Sequence, residues 1–259
     1  MTDPILLQRD GSIATVVLNR PEKLNALTRP MWQRLGEVFA ELSADETLRC
    51  VVIRGAGDKA FAPGNDIAEF ERERSNVEQA RAYGHVMETT IKAIAGCLHP
   101  VVALIQGICV GGGLEIAALA DIRICGESSR FGVPIKNLGL VMAHCELAAL
   151  IGLCGSATAL EILLEGRIFG AAEAKEKGLI TRVVPDERVE EEAYATARRI
   201  AEGAPLAARW HKKFARRLAD SRPLTQAEYD EGFACFGTAD FREGVTAFLA
   251  KRRANFEGR

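Results

Sequence analysis

The sequence predicts an α/β fold with a helical C-terminal region. Three observations carry this. Short apolar runs, rich in β-branched residues, are bounded by glycines; runs of helical period lie between them; and after about Pro185 only helical patterns recur. The chain has 259 residues, 48% of them hydrophobic, enough for one large domain or a domain with an appendage. We read residues 1–195 as an α/β core that carries the site and residues 196–259 as a helical C-terminal region.

The elements follow in order. Residues 13–18 are mostly β-branched and come after the Asp10-Gly11 turn pair, so they form the second strand of a hairpin begun at residues 5–7. Thr28 is placed to cap a helix with Pro30 in its first turn, and Met31, Leu35, Val38, Phe39 and Leu42 then recur at helical spacing. Residues 50–53 make a short buried strand ended by Gly55-Ala56-Gly57. Residues 76–96 are helical in pattern, with Val86, Thr90, Ile91 and Ile94 on one side. A strand at 100–105, a helix from the triple glycine at 111–113 through residue 120, and a strand at 122–125 complete the alternation. Strands this uniformly apolar are covered on both faces. The tail reads as helices at 186–202, 205–220, 225–236 and 240–253, and Ser156 and Thr158 read as helix caps.

Charge excludes some functions. With 33 basic and 35 acidic residues the formal net charge is -2, which provides no general field for nucleic acid or an anionic membrane. The basic runs Arg198-Arg199, His211-Lys212-Lys213 with Arg216-Arg217, and Lys251-Arg252-Arg253 read as solvated helix faces, with phosphate contact as the alternative. The seven cysteines include no C-x-x-C pair and read as reduced core thiols of a cytoplasmic protein. No basic start followed by an apolar run marks a signal peptide. The longest apolar stretch, 101–120, contains Gln106, Glu115 and several glycines, so no membrane span is expected. His85, His99 and His211 have no companion spacing, so no metal is expected.

Two loops carry chemistry. In Phe61-Ala62-Pro63-Gly64-Asn65-Asp66-Ile67, Pro63 restricts and Gly64 frees the backbone, so the loop can aim an amide inward; the alternative is an ordinary Pro-Gly turn. The second loop, Gln106 to Glu115, joins a buried strand to a helix through Gly111-Gly112-Gly113. Glycines let a substrate approach the backbone, and a helix N-terminus favours negative charge. A dinucleotide site would need G-x-G-x-x-G, which Gly107, Gly111, Gly112 and Gly113 do not supply.

Further segments share a pattern with these loops: Asn19-Arg20-Pro21 through Asn25-Ala26-Leu27, Ala120-Asp121-Ile122-Arg123, residues 171–184, and residues 242–252. Taken in order over roughly residues 5–256, they resemble the crotonase (enoyl-CoA hydratase/isomerase) superfamily. The resemblance implies a crotonase-like spiral of ββα turns, with the tail helices serving oligomerisation as a homotrimer or dimer of trimers. It implies an acyl-CoA thioester substrate and no cofactor apart from the CoA that the substrate carries, while the balanced charge gives no support for a nucleic-acid or membrane partner. By the same resemblance the Asn65 and Gly112 backbone N–H groups hold the thioester oxygen as it becomes an enolate. Preorganised donors of this kind contribute several kcal/mol in the transition state. Lys23, Leu24 and Ala26 would lie against CoA, Ala62, Gly64, Asp66 and Ile67 around the substrate, and Phe248 and Lys251 would reach a neighbour's CoA site.

The acids single out this chain. Glu115, just after the triple glycine, matches a hydratase glutamate that acts on water; alternatively it is a first-turn acid stabilised by the helix dipole. The second hydratase glutamate falls on Ile135, which cannot move a proton but would still line the substrate. Lys136 is adjacent, and another position used by relatives is the inert Ala143. His144, with an unperturbed pKa of about 6.5, would suit as the substitute acid; alternatively it is a helix-start histidine bonded to the backbone. Glu146 is the other nearby titratable group, and could be an early-turn acid only. The expected activity is an enoyl-CoA hydratase/isomerase-type reaction. Decarboxylation, C–C cleavage, thioester hydrolysis and a non-catalytic acyl-CoA scaffold stay open.

Overall fold

A computed structural model describes residues 3–259. The chain opens with an antiparallel hairpin of β1 (Ile5–Asp10) and β2 (Ile13–Leu18), turned at Gly11 with φ +55°. In α1 (Arg29–Ala44) the Thr28 hydroxyl accepts the Met31 N–H, and Pro30 sits in the first turn. Three units of like order follow. β3 (Cys50–Gly55) and β4 (Ala60–Ala62) lead through the short α2 (Phe70–Glu73) to α3 (Val77–Gly96). β5 (Val101–Ile105) and β6 (Ile108–Val110) lead to α4 (Gly112–Leu119). β7 (Ile122–Gly126) and β8 (Arg130–Gly132) lead to α5 (His144–Glu165). β9 (Phe169–Gly170), α6 (Ala171–Glu176) and β10 (Arg182–Val184) precede the helices α7 (Val189–Ala201), α8 (Pro205–Leu218), α9 (Gln226–Glu231) and α10 (Ala239–Leu249).

Each unit deposits its first strand in one sheet and its second in another. The larger sheet runs β1-β2-β3-β5-β7-β10 and the smaller β4-β6-β8-β9. Pairing is parallel except for β1 with β2 and β8 with β9. This is the spiral of ββα turns. In β3, Val51 and Ile53 enter the main core with α1 and α3, while Cys50 and Val52 pack with Val189, Ala193 and Ala197 of α7. The large sheet is therefore covered on both faces, which is why its strands read as unbroken apolar runs.

The tail differs from the sequence reading in three ways. A 3-10 turn at Asp186–Arg188 precedes α7, and the division at 195/196 falls inside that helix, which belongs to the packing of the sheet. The 225–236 helix is two pieces: the capping box of Thr225 and Glu228 starts α9, which ends at Glu231, before a 3-10 turn at Ala234–Gly237. Lys212 is not on a solvated face. It is buried, with its Nζ 2.7 Å from Asp121 Oδ2 and also donating to the His99 carbonyl. Asp121 further accepts the Val101 N–H and pairs with Arg216, so α8 is pinned to the core. All seven cysteines are free thiols.

α5 is, by length and composition, apolar enough to cross a membrane, although its backbone leaves helical geometry at Gly155, φ +73°. It exposes Ile151, Leu160 and Leu164.

Candidate active site

One cavity of about 220 Å³ collects the chemistry. The loop after β4 contributes Gly64 and Asn65, the start of α4 contributes Gly112 and Glu115, and the start of α5 contributes Glu146. Gly64 has φ +109°, and a Cβ there would lie 3.2 Å from the Gly112 nitrogen. The two loops thus touch through their glycines. Gly113 is required for a different reason, since a Cβ would come 2.1 Å from the Ala62 carbonyl oxygen.

Among the described residues, neither the Asn65 nor the Gly112 N–H donates to another protein group. Gly112 opens α4, where the first N–H groups have no partner within the helix. Asn65 is held by its side chain: Trp32 Nε1 donates to Asn65 Oδ1 at 2.6 Å. Its loop is clamped from both sides, with Leu27 N–H donating to the Gly64 carbonyl and Asp66 N–H to the Leu27 carbonyl, each 2.8 Å. Asp66 does two jobs. Its Oδ2 takes two bonds from Arg20 at 3.1 Å, and its Oδ1 accepts the Ala68 N–H. Arg20 also donates to the Ala26 carbonyl, so the Asn19–Leu27 segment braces the loop.

Glu115 is buried, and its Oε2 has no hydrogen-bond partner among the described residues. Burial, then the nearby charge of Glu146, push its carboxyl well above the ordinary range; Arg74 opposes the shift. Burial also raises Glu146, but its Oε2 accepts the Ala143 N–H at 2.8 Å, which favours the carboxylate. Two carboxyls therefore face one cavity, and their environments pull them apart.

Of the expected residues, Gly64, Asn65, Ile67, Gly112, Glu115 and Ile135 line this cavity together. Ala62, Asp66, Lys23, Leu24 and Ala26 do not; Ala62 is buried behind the triple glycine, and Lys23 and Leu24 are exposed. Phe248 and Lys251 are exposed near the end of α10, away from the lining. His144 is exposed and outside the lining, which corrects the expectation that it supplies an acid there. Residues two apart on a helix are roughly 200° apart in rotation, so inward Glu146 turns His144 outward. Lys136 donates instead to the Leu164 carbonyl, 2.8 Å away. The sequence reading missed Arg74, Phe70, Met87, Leu138, Leu140 and Val141 in the lining. No spacing marks Arg74 within its charged, exposed-looking segment. The Ala143–Glu146 spacing marks a helix start but not which way the carboxyl faces.

The sequence model of the enoyl-CoA hydratase/isomerase family matches residues 8–259. A crotonyl-CoA hydratase from Syntrophomonas wolfei is 33% identical over 254 residues, covering 97% of each chain. A short-chain-enoyl-CoA hydratase from Clostridium acetobutylicum is 31% identical, covering 96% of this chain and 95% of the relative. The crystal structure of an enoyl-CoA hydratase/carnithine racemase from Magnetospirillum magneticum superposes with a TM-score of 0.98 at 52% identity, covering 100% of this chain and 97% of that one.

Proposed function

Because the chain belongs to the enoyl-CoA hydratase/isomerase family, we propose that it adds water to an enoyl-CoA, with Glu146 supplying the second carboxyl that Ile135 lacks and with the roles exchanged from the sequence expectation, Glu146 acting on the water and Glu115 holding the proton. The observation that carries this is the pairing of Glu115 and Glu146 in the cavity that also holds the undonated Asn65 and Gly112 N–H groups. Burial raises both carboxyls and the charge of Glu146 raises Glu115 further, so in this reading the pair holds one proton. The Ala143 bond favours charge on Glu146, so the proton rests on Glu115.

In this reading the thioester oxygen sits between the Asn65 and Gly112 N–H groups. Glu146 takes a proton from water as the water oxygen bonds to Cβ. The alkene electron pair shifts toward Cα and the thioester oxygen, where the two amides stabilise the enolate. Glu115 then delivers its proton to Cα, giving a 3-hydroxyacyl-CoA, and a proton passing between the carboxyls restores the pair. Lys23, Leu24 and Ala26 meet the CoA portion outside the cavity, and Phe248 and Lys251 meet a neighbouring subunit's CoA in a homotrimer or dimer of trimers. CoA arrives with the substrate, and the reaction uses no other cofactor.

The test is mass spectrometry of an acyl-CoA panel incubated in heavy water. Addition of one water with deuterium at Cα supports hydration. Deuterium uptake with the skeleton unchanged redirects the reading to isomerisation. Binding without any change favours a non-catalytic acyl-CoA scaffold.

A further inference from the structure

Arg74 lines the cavity but has no role in the proton transfers above. It is half-buried, and its guanidinium carbon lies 4.7 Å from the Phe70 ring centroid and 4.9 Å from that of Tyr83. Such contacts hold a guanidinium through the aromatic rings and leave its in-plane N–H donors unused. No protein oxygen accepts from those donors among the described residues: Glu73 pairs with Arg29 and Arg72, Glu69 takes the Arg29 N–H, and Glu115 and Glu146, whose carboxyls the Arg74 charge draws down, make no ion pair or hydrogen bond with it. The surrounding lining is apolar, with Ile67, Leu138, Leu140 and Val141. A held, unpaired guanidinium in such a cavity matches a planar anion that accepts two parallel bonds.

We propose that Arg74 is a specificity residue that binds a carboxylate carried on the acyl group, so that the substrate class is an enoyl-CoA ending in a second acid. The proposal rests on the cavity being the acyl-CoA site. The proton shared by Glu115 and Glu146 limits the negative charge that this carboxylate meets.

Saturated esters test it without turnover. Wild type and Arg74→Met are titrated calorimetrically with valeryl-CoA and glutaryl-CoA, which have equal carbon counts and differ in the terminal acid. Wild type is expected to bind glutaryl-CoA at least about tenfold more tightly, and the variant to bind the two alike. Equal affinities in wild type, or a variant that keeps the preference, overturns the proposal. If the preference holds while no enoyl-CoA is hydrated, hydration fails and the anion site stands. If hydration occurs without the preference, only the anion site is lost.

Discussion

Burying Glu115 beside Glu146 sets reactivity against stability. Both carboxyls are raised by desolvation, so between the ordinary carboxylate value and the raised one the folded chain binds more protons than the unfolded chain. Stability therefore falls as pH rises through that window. Glu115→Gln is expected to cut turnover at least about a hundredfold while raising the melting temperature at pH 8 relative to wild type, with a smaller gain at pH 5. Calorimetric scans at the two pH values, beside turnover assays, check this; a lower melting temperature at pH 8 would contradict it. Glu146→Gln should lose turnover comparably, whereas His144→Ala, being exposed, should leave it within about threefold of wild type. The glycines of the second loop are just as specific. Gly113→Ala drives a Cβ against the Ala62 carbonyl, and we expect a loss of about 3 kcal/mol in urea unfolding, with the cavity distorted.

The elements around the cavity are held by contacts that the chemistry never touches. Trp32 reaches from α1 to fix Asn65, and the Arg20–Asp66 pair ties the Asn19–Leu27 segment to the same loop. Trp32→Phe removes the donor to Asn65 Oδ1, and kcat/KM should fall about tenfold with little change in fold, as fluorescence-monitored unfolding would show. On the far side, α8 is anchored through Lys212, Asp121 and Arg216. Asp121→Ala leaves the Lys212 ammonium buried without its partner. A loss of roughly 3–5 kcal/mol in denaturant unfolding is expected, and a loss below about 1 kcal/mol would mean that α8 is held by apolar contacts alone.

Across the molecule the unspent apolar surface is concentrated in the helices. Phe233, Phe236, Phe248 and Leu249 are exposed in the tail, with Phe248 83% exposed, and α5 exposes Ile151, Leu160 and Leu164. Exposed apolar side chains grouped in this way suit a surface that another subunit would cover. A self-associating assembly fits it, and sedimentation velocity should give three or six times the 28.1 kDa chain mass. Phe248→Glu should shift the mass toward monomer and raise KM for acyl-CoA, the second effect being specific to a subunit that reaches its neighbour's site.

The period and length of the apolar runs were enough to define the strands of the large sheet other than β10, the helices α1 and α3, and the change to helices in the tail. Those are local properties, decided by which residues must leave water together. The Pro63-Gly64-Asn65 and Gly111-Gly112-Gly113 turns were legible for the same reason, since only a few residue types permit such backbones. The break between α9 and the turn after it, and the burial of Lys212, were not legible. The burial of Lys212 depends on a partner distant in sequence, Asp121. The acid was the sharpest case. Ile135 showed in sequence that a carboxyl was missing, but only the packing of α5 against α4 could turn Glu146 rather than His144 toward Glu115. Which face of a helix looks inward is set by its tertiary neighbours, and so is the placing of Arg74 over Phe70 and Tyr83 at the same cavity.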